Sequence, residues 1–339
     1  MFDMKEIISK IAASNPISRE DASNAMQMIM NGKATDAQIA AFIMGLRIQG
    51  ETPEIITSCV SIMREHAKKI TCDDEHAVDI VGTGGDKSNT FNISTTTAFV
   101  VAGAGITVAK HGSYGVSSKC GSANVLKELG VNIDYNIEII EECIKKINIA
   151  FLFAPNLHPA MKYAVPARKE LGIWSIFNIL GPLCNPAQVR RGVTGVFKPE
   201  LLPIVAESCR NMNCQHQYIV HGSDGLDEIS NTSTTKIIEV KNNELKSFDF
   251  CPTELGIPIS SPEEIKGGDP IQNAKITKSI LTGEEKGAKK NIVLLNAAFC
   301  ICSSGKVKTI QEGLTLANDS INSGSALNKL NELIRISSA

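Results

Sequence analysis

A short, mainly apolar run from Ala77 to Val81 leads directly into Gly82-Thr83-Gly84-Gly85-Asp86, a junction that few folds can use. Such a run bounded by glycines predicts a buried strand ending in a turn. Three glycines in four positions free the backbone to take positive φ and let its N–H groups face a ligand with no Cβ in the way. Phosphate is held in this manner. The spacing excludes both common phosphate motifs, since no Lys-Ser or Lys-Thr follows the last glycine and no third glycine stands three positions after the second. Asn92-Ile93-Ser94-Thr95 comes next, then an Ala/Val/Gly-rich segment to Gly105 that predicts a close-packed helix. Ser94 and Thr95 would lie near its N-terminus, where unpaired N–H groups and the positive dipole end favour an anion. From Lys110 to Ser122 the chain adds two cations, three glycines and four serines. Taken singly, a glycine-rich turn or a Ser/Thr pair at a helix start is usually structural. Their occurrence together within about fifty residues points to convergent donors for a ligand with two separate phosphates.

The rest of the chain bounds the fold around that junction. Its 339 residues suffice for a sizeable core and for two domains. A net charge of −2 argues against an electrostatic nucleic-acid binder, and no run is long enough to span a bilayer. The N-terminus has no signal-peptide pattern, so a cytoplasmic location is expected. The ten cysteines are scattered with no C-x-x-C pair, which predicts thiols that are mostly buried, with Cys120 inside the second ligand loop. Helical spacing and start signals mark Asp3–Ala13, Ser18–Met30, Thr35–Arg47 and Thr52–Lys68, with 65–75 as a linker. From Ala77 strands at 77–81, 106–109, 149–153 and 217–221 alternate with helices near 95–103, 122–129, 137–147 and 200–211. The expected fold class is α/β: a small N-terminal helical domain over 1–70, joined by part of 160–185, and a larger domain over 77–339 with a mostly parallel central sheet.

Asp224-Gly225-Leu226-Asp227-Glu228 follows the last of those strands. Adjacent carboxylates repel unless a cation lies between them. On their own they read as a solvated turn; beside a diphosphate they suit Mg²⁺, which takes one or two carboxylates plus phosphate and water.

GTGGD, NIST, and KHG with VSSK and GSA together resemble the anthranilate phosphoribosyltransferase family, related to the pyrimidine nucleoside phosphorylases. The likeness runs on through Phe153-Ala154-Pro155, Leu157-His158-Pro159-Ala160-Met161-Lys162, Arg168-Lys169-Glu170-Leu171-Gly172, Phe177 to Leu183, Val220-His221-Gly222, Gly267-Gly268-Asp269 and Leu294 to Ala298, almost the whole chain. It implies transfer of a phosphoribosyl group from 5-phosphoribosyl 1-diphosphate to the amine of anthranilate, a step of tryptophan biosynthesis, in a homodimer formed through the helical unit. The resemblance assigns the donor to Gly82, Gly85, Asp86, Thr90, Asn92, Ile93, Ser94, Thr95, Lys110, Ser117, Ser118 and Ser122. It assigns anthranilate to Gly82, His111, Ser113 and Arg168, with His111 and Arg168 as the catalytic pair, and two Mg²⁺ ions to Ser94, Asp227 and Glu228. The chain departs from the family's pattern at Ser113 and Tyr114, where KHGN followed by Arg is common, and at Trp174, which stands at an arginine position.

Three readings therefore compete: this transferase or one for another aromatic amine, a nucleoside phosphorylase, and a non-enzymatic nucleic-acid-binding relative. Asn92 to Thr95 with Asp227 and Glu228 disfavour the second, and the net charge of −2 disfavours the third.

Overall fold

The computed structural model describes residues 3–115 and 120–338. Its residues 4–65 form four helices, α1 (Met4–Ala12), α2 (Arg19–Met30), α3 (Asp36–Gln49) and α4 (Pro53–Glu65). Each start has a local cause. Ser18 and Thr35 close capping boxes with Asp21 and Gln38, and Thr52 caps a helix that opens on Pro53. α4 ends at Glu65, short of Lys68, and 66–77 runs on without regular secondary structure.

The sheet has seven strands in the order β3-β2-β1-β4-β5-β6-β7. They are β1 (Val78–Gly82), β2 (Val108–Gly112), β3 (Ile149–Phe153), β4 (Arg191–Gly195), β5 (His216–Gly222), β6 (Thr235–Lys241) and β7 (Glu244–Phe250). The first five pair in parallel, and β6 and β7 extend the edge antiparallel. The strands expected at 106–109 and 217–221 shift to 108–112 and 216–222, because β2 pairs along its whole length with β3 and β5 with β6. Three strands were not expected. β4 carries two glycines in five residues, which hides a strand signal. β6 and β7 turn through Asn242 and Asn243, both at positive φ, the geometry of a two-residue hairpin.

Helices cover both faces, as a parallel sheet requires. On one face lie α5 (Ile93–Gly103), α6 (Ser122–Glu128), α7 (Ile137–Ile147), and from the C-terminal part α12 (Pro270–Leu281), α13 (Ala288–Ser303), α14 (Ile310–Asn322) and α15 (Ser325–Ser337). The opposite face, after the single turn α8 (Ala154–Leu157), is covered by α9 (Val165–Leu171), α10 (Ile176–Leu183) and α11 (Leu201–Asn211), which share one apolar cluster with α1–α4. α9 packs on α3, and α10 and α11 on α4.

Strand order reverses between β1 and β4, since the chain steps from β1 to β2 to β3 on one side and from β4 to β5 on the other. In open α/β sheets a crevice opens at the carboxyl ends of the strands at such a point, and ligands bind there. The glycine-rich turn leaves β1 at that end. No disulfide joins the ten cysteines, eight of which are buried, and no described helix is long and apolar enough to cross a membrane.

Candidate active site

The glycine-rich turn is bent by four left-handed residues, Gly84, Gly85, Lys87 and Asn89, with φ of 66°, 92°, 56° and 55°. Two of these are not glycine, the kind of local strain that collects at ligand clamps. Asp227 hooks the turn from the far side of the crevice: its Oδ2 accepts from Gly84 N at 2.7 Å. Close packing explains two glycines. A Cβ on Gly82 would stand 2.3 Å from Asp227 Oδ2, and one on Gly195 of β4 would stand 1.6 Å from the Asp227 carbonyl oxygen.

Asp227 is buried rather than solvated, which corrects the picture of an exposed acidic turn. Burial, reinforced by the nearby Asp86 carboxylate, pushes its pKa up to about 7. The Glu228 carboxyl is pushed well above its ordinary value by burial and by Asp227, against the opposing pull of Lys110 and a hydrogen bond from Ser94 N. Asn296 of α13 holds the next residue in place, accepting from Ile229 N at 3.0 Å and donating to Ile229 O at 2.8 Å. Asp224 is not part of this set; it accepts from Ser230 and Thr232 hydroxyls and shapes the turn.

Lys110, buried in β2, reaches under the crevice and donates from Nζ to Ile80 O at 2.6 Å and to Ser94 Oγ at 3.4 Å. Burial lowers its pKa, and Asp79 and Glu228 pull it back up. Ser94, Lys110, Asp86, Asp227 and Glu228 are thus brought together. Thr95 Oγ1 donates to Ser122 Oγ at 3.0 Å, tying the start of α5 to the start of α6. Thr90 lies 3.4 Å from Ser88 Oγ, whose hydroxyl also bonds Asp86, and pairs in a backbone bridge with Lys266. Ile93 offers backbone only, since its side chain is buried in the core. Ser117 and Ser118 lie outside the described residues.

His111, next to Lys110, has its backbone N–H on Asp79 Oδ1 at 3.2 Å and its ring Nδ1 3.2 Å from Gly181 O. A carbonyl there fixes the proton on Nδ1 and leaves Nε2 as an unprotonated acceptor. Among the described residues that buried Nε2 has no partner, and burial with the neighbouring His158 ring holds the pKa down at about 3. The His158 ring stands 5.1 Å from that of His111. His158 had no role from the sequence beyond its place in the Leu157 to Lys162 run. Arg168, on α9, stacks 5.1 Å over Phe177, one turn of α10 before Gly181. Burial pushes its pKa down, and among the described residues no carboxylate forms an ion pair with its guanidinium. His111 and half-buried Arg168 thus each touch α10, the first at the Gly181 carbonyl and the second at the Phe177 ring.

The departures separate. Ser113 stays half-buried at the end of β2, its carbonyl accepting from Ala123 N at 3.1 Å. Tyr114 turns outward, edge-on to Phe153 and under Lys127. Trp174 sits against the glycine turn, packed on Phe197 at 4.8 Å and beneath Arg47 at 5.2 Å. Among the described residues no three His, Cys, Asp or Glu side chains form a metal cluster. A cation bound by Asp227 and Glu228 would therefore complete its shell with hydroxyl, water or ligand oxygens, as Mg²⁺ does.

Comparison with known proteins bears on this crevice. Residues 74–327 match the model "Glycosyl transferase family, a/b domain", and residues 5–67 match "Glycosyl transferase family, helical bundle domain". The chain is 47% identical to the anthranilate phosphoribosyltransferase of Acetivibrio thermocellus, over 99% of its own length and 97% of the relative's. It is 45% identical to that of Alkaliphilus metalliredigens, over 98% of each. The solved anthranilate phosphoribosyltransferase of Thermus thermophilus superposes with a TM-score of 0.93 at 35% identity, over 98% of this chain and 99% of that one. That of Saccharomyces cerevisiae in complex with PRPP and Mg gives 0.92 at 29% identity, over 99% and 98%.

Proposed function

The chain belongs to the anthranilate phosphoribosyltransferase family, and from that premise we propose how its own residues carry out the reaction. The enzyme transfers the 5-phosphoribosyl group from 5-phosphoribosyl 1-diphosphate to the amine of anthranilate, in tryptophan biosynthesis. The observation that carries the assignment of roles is the convergence of Asp227, Glu228, Ser94 and Lys110 on the glycine turn at the β1/β4 crevice.

Displacing diphosphate from the sugar passes through an oxocarbenium-like state. The protein must therefore position the nucleophile and neutralise the leaving group, and no covalent residue is required. In this reading Gly82, Gly85, Asp86, Thr90, Asn92, Ser94, Thr95 and Ser122, with the backbone of Ile93, hold the donor, and Lys110 supplies the buried positive charge. Ser117 and Ser118 join them by resemblance. Mg²⁺ bound by Asp227, Glu228 and Ser94 would neutralise the departing diphosphate. Two ions, rather than one, suit three mutually repelling carboxylates, Asp86, Asp227 and Glu228.

The acceptor lies toward His111 and Arg168, with Ser113 and Gly82 at its edge. A neutral imidazole whose Nε2 is an acceptor orients the anthranilate amine, and its low pKa makes it a poor proton store. Arg168 pairs with the carboxylate, a charge-assisted contact worth about 1.5–3 kcal/mol. Arg168→Ala is accordingly expected to raise anthranilate KM between about tenfold and a hundredfold, and Ser113→Asn to change it by about tenfold or less. Anthranilate fluorescence, followed with donor and Mg²⁺, reads both. Equal effects of the two variants would overturn the assignment to Arg168.

The reading divides the chain into a helical domain over 1–70, joined by part of 160–185, and a donor-binding domain over 77–339. The packing of α9 and α10 on α3 and α4 supports that division. It makes the helical unit the contact of a homodimer, supported by the exposed Ile48, Val165 and Ile173 on and beside α3 and α9, exposed to 78%, 49% and 42%. Sedimentation at micromolar concentration is expected to give twice the chain mass; a monomer would refute it. A cytoplasmic location fits ten cysteines outside disulfides.

A further inference from the structure

Asn92 precedes α5, yet its side chain makes no capping hydrogen bond to that helix. Asparagine is among the strongest N-cap residues, so another interaction holds it off. Its Nδ2 donates to Cys120 O at 3.0 Å, and its Oδ1 accepts from Asn273 Nδ2 at 3.0 Å and from Cys120 Sγ at 3.3 Å. Asn273, 1% exposed in the first turns of α12, is held in turn by Gly268 N, which donates to its Oδ1 at 2.8 Å. The approach is close: a Cβ on Gly267 would stand 2.6 Å from the Phe91 backbone.

An amide side chain offers two N–H donors and two acceptor lone pairs. On Asn92 both lone pairs and one N–H are engaged, so what remains is one N–H. Rotating the amide would set its oxygen against Cys120 O and its N–H groups against Asn273 Nδ2. Two neighbours therefore fix its polarity.

We propose that Asn273 is a positioning residue for the phosphoribosyl donor. By donating to Asn92 Oδ1 it turns a free Asn92 N–H toward the ligand and leaves the first turn of α5 without a side-chain cap, open to phosphate. This rests on the reading above that places Asn92 in the donor site.

Asn273→Asp keeps the acceptor for Gly268 N and nearly the same volume, but at pH 8 it has no N–H to give Asn92. Donor KM, anthranilate KM and kcat are measured for Asn273→Asp, Asn92→Ala and the double variant. Asn273→Asp is expected to raise donor KM about tenfold and to leave anthranilate KM within about twofold; on the Asn92→Ala background it adds less than about twofold, because the residue acts through Asn92. Melting within a few degrees of the parent separates this from loss of fold. If the aspartate variant does not fold, Asn273→Ser, which retains a donor of shorter reach, carries the same comparison. An unchanged donor KM in the Asn273 variant, or its full effect persisting on the Asn92→Ala background, overturns the proposal. Parental donor KM in Asn92→Ala overturns both the placing of Asn92 and the inference built on it.

Discussion

Replacing Asp227 and Glu228 together by Asn and Gln is expected to lower kcat/KM for the phosphoribosyl donor by about a thousandfold or more, with the fold intact. The amides preserve shape, and the oxygen introduced at 227 can still accept from Gly84 N, the bond that holds the glycine turn. What is lost is two negative charges at the proposed diphosphate site, and with them the proposed means of holding Mg²⁺. Stability should move the other way. The folded pKa of Asp227, about 7, lies above its ordinary 3.8, so the carboxyl costs stability as pH rises from about 4, and the cost is complete above about 7. In metal-free buffer at pH 8 the double variant should therefore melt at or above the parent's temperature. Added Mg²⁺ with donor should raise the parent's melting temperature and leave the variant's unchanged. Activity within tenfold of the parent would remove both residues from the metal site.

That behaviour could not be read from Asp227-Glu228 as sequence. Two adjacent acids after a strand look solvated, and only the approach of β4, with Gly195 against the Asp227 carbonyl, buries Asp227. The legible parts of the fold were those with local causes. Ser18, Thr35 and Thr52 start helices through bonds to residues three positions on, and the glycine turn declares itself within five residues. β4 was hidden because Gly192 and Gly195 are required by contacts with Asp79 and Asp227, far along the chain. The positions of Ser94, Lys110 and His111 at the crevice were legible because the start of α5 and the end of β2 place them. Asn273 was not, for its partner Asn92 lies 181 residues away. Gly85 was legible as a candidate ligand-facing position free to take positive φ, but not for what a side chain there would cost. Its φ of 92° means that alanine there would cost about 1–2 kcal/mol in addition to any effect on binding.

Lys110→Met should give the second largest loss, and its pH dependence separates the two duties of that ammonium group. In the folded chain it faces Asp79, buried like itself, and the partly buried Glu228, and its Nζ is fixed by Ile80 O and Ser94 Oγ. Methionine matches the length of the side chain and supplies no charge. Breaking a buried pair by removing one partner typically costs about 3–5 kcal/mol, because the other charge is left uncompensated. The Asp79 pKa is already raised to about 6 by burial, with Lys110 as the largest opposing influence, so without the lysine it rises further. Protonation then relieves the penalty at low pH: the variant should lose most of its stability at pH 8 and much less at pH 5, a difference visible in thermal melts. The catalytic duty follows a different axis. In the proposed role, a buried cation beside the diphosphate would act on the donor and not on anthranilate, so donor kcat/KM should fall by about a hundredfold or more while anthranilate KM stays near the parent's. If both substrates weaken equally at a temperature where the variant is folded, Lys110 is a structural counter-ion for Asp79 alone, and the positive charge on the donor must come from another residue.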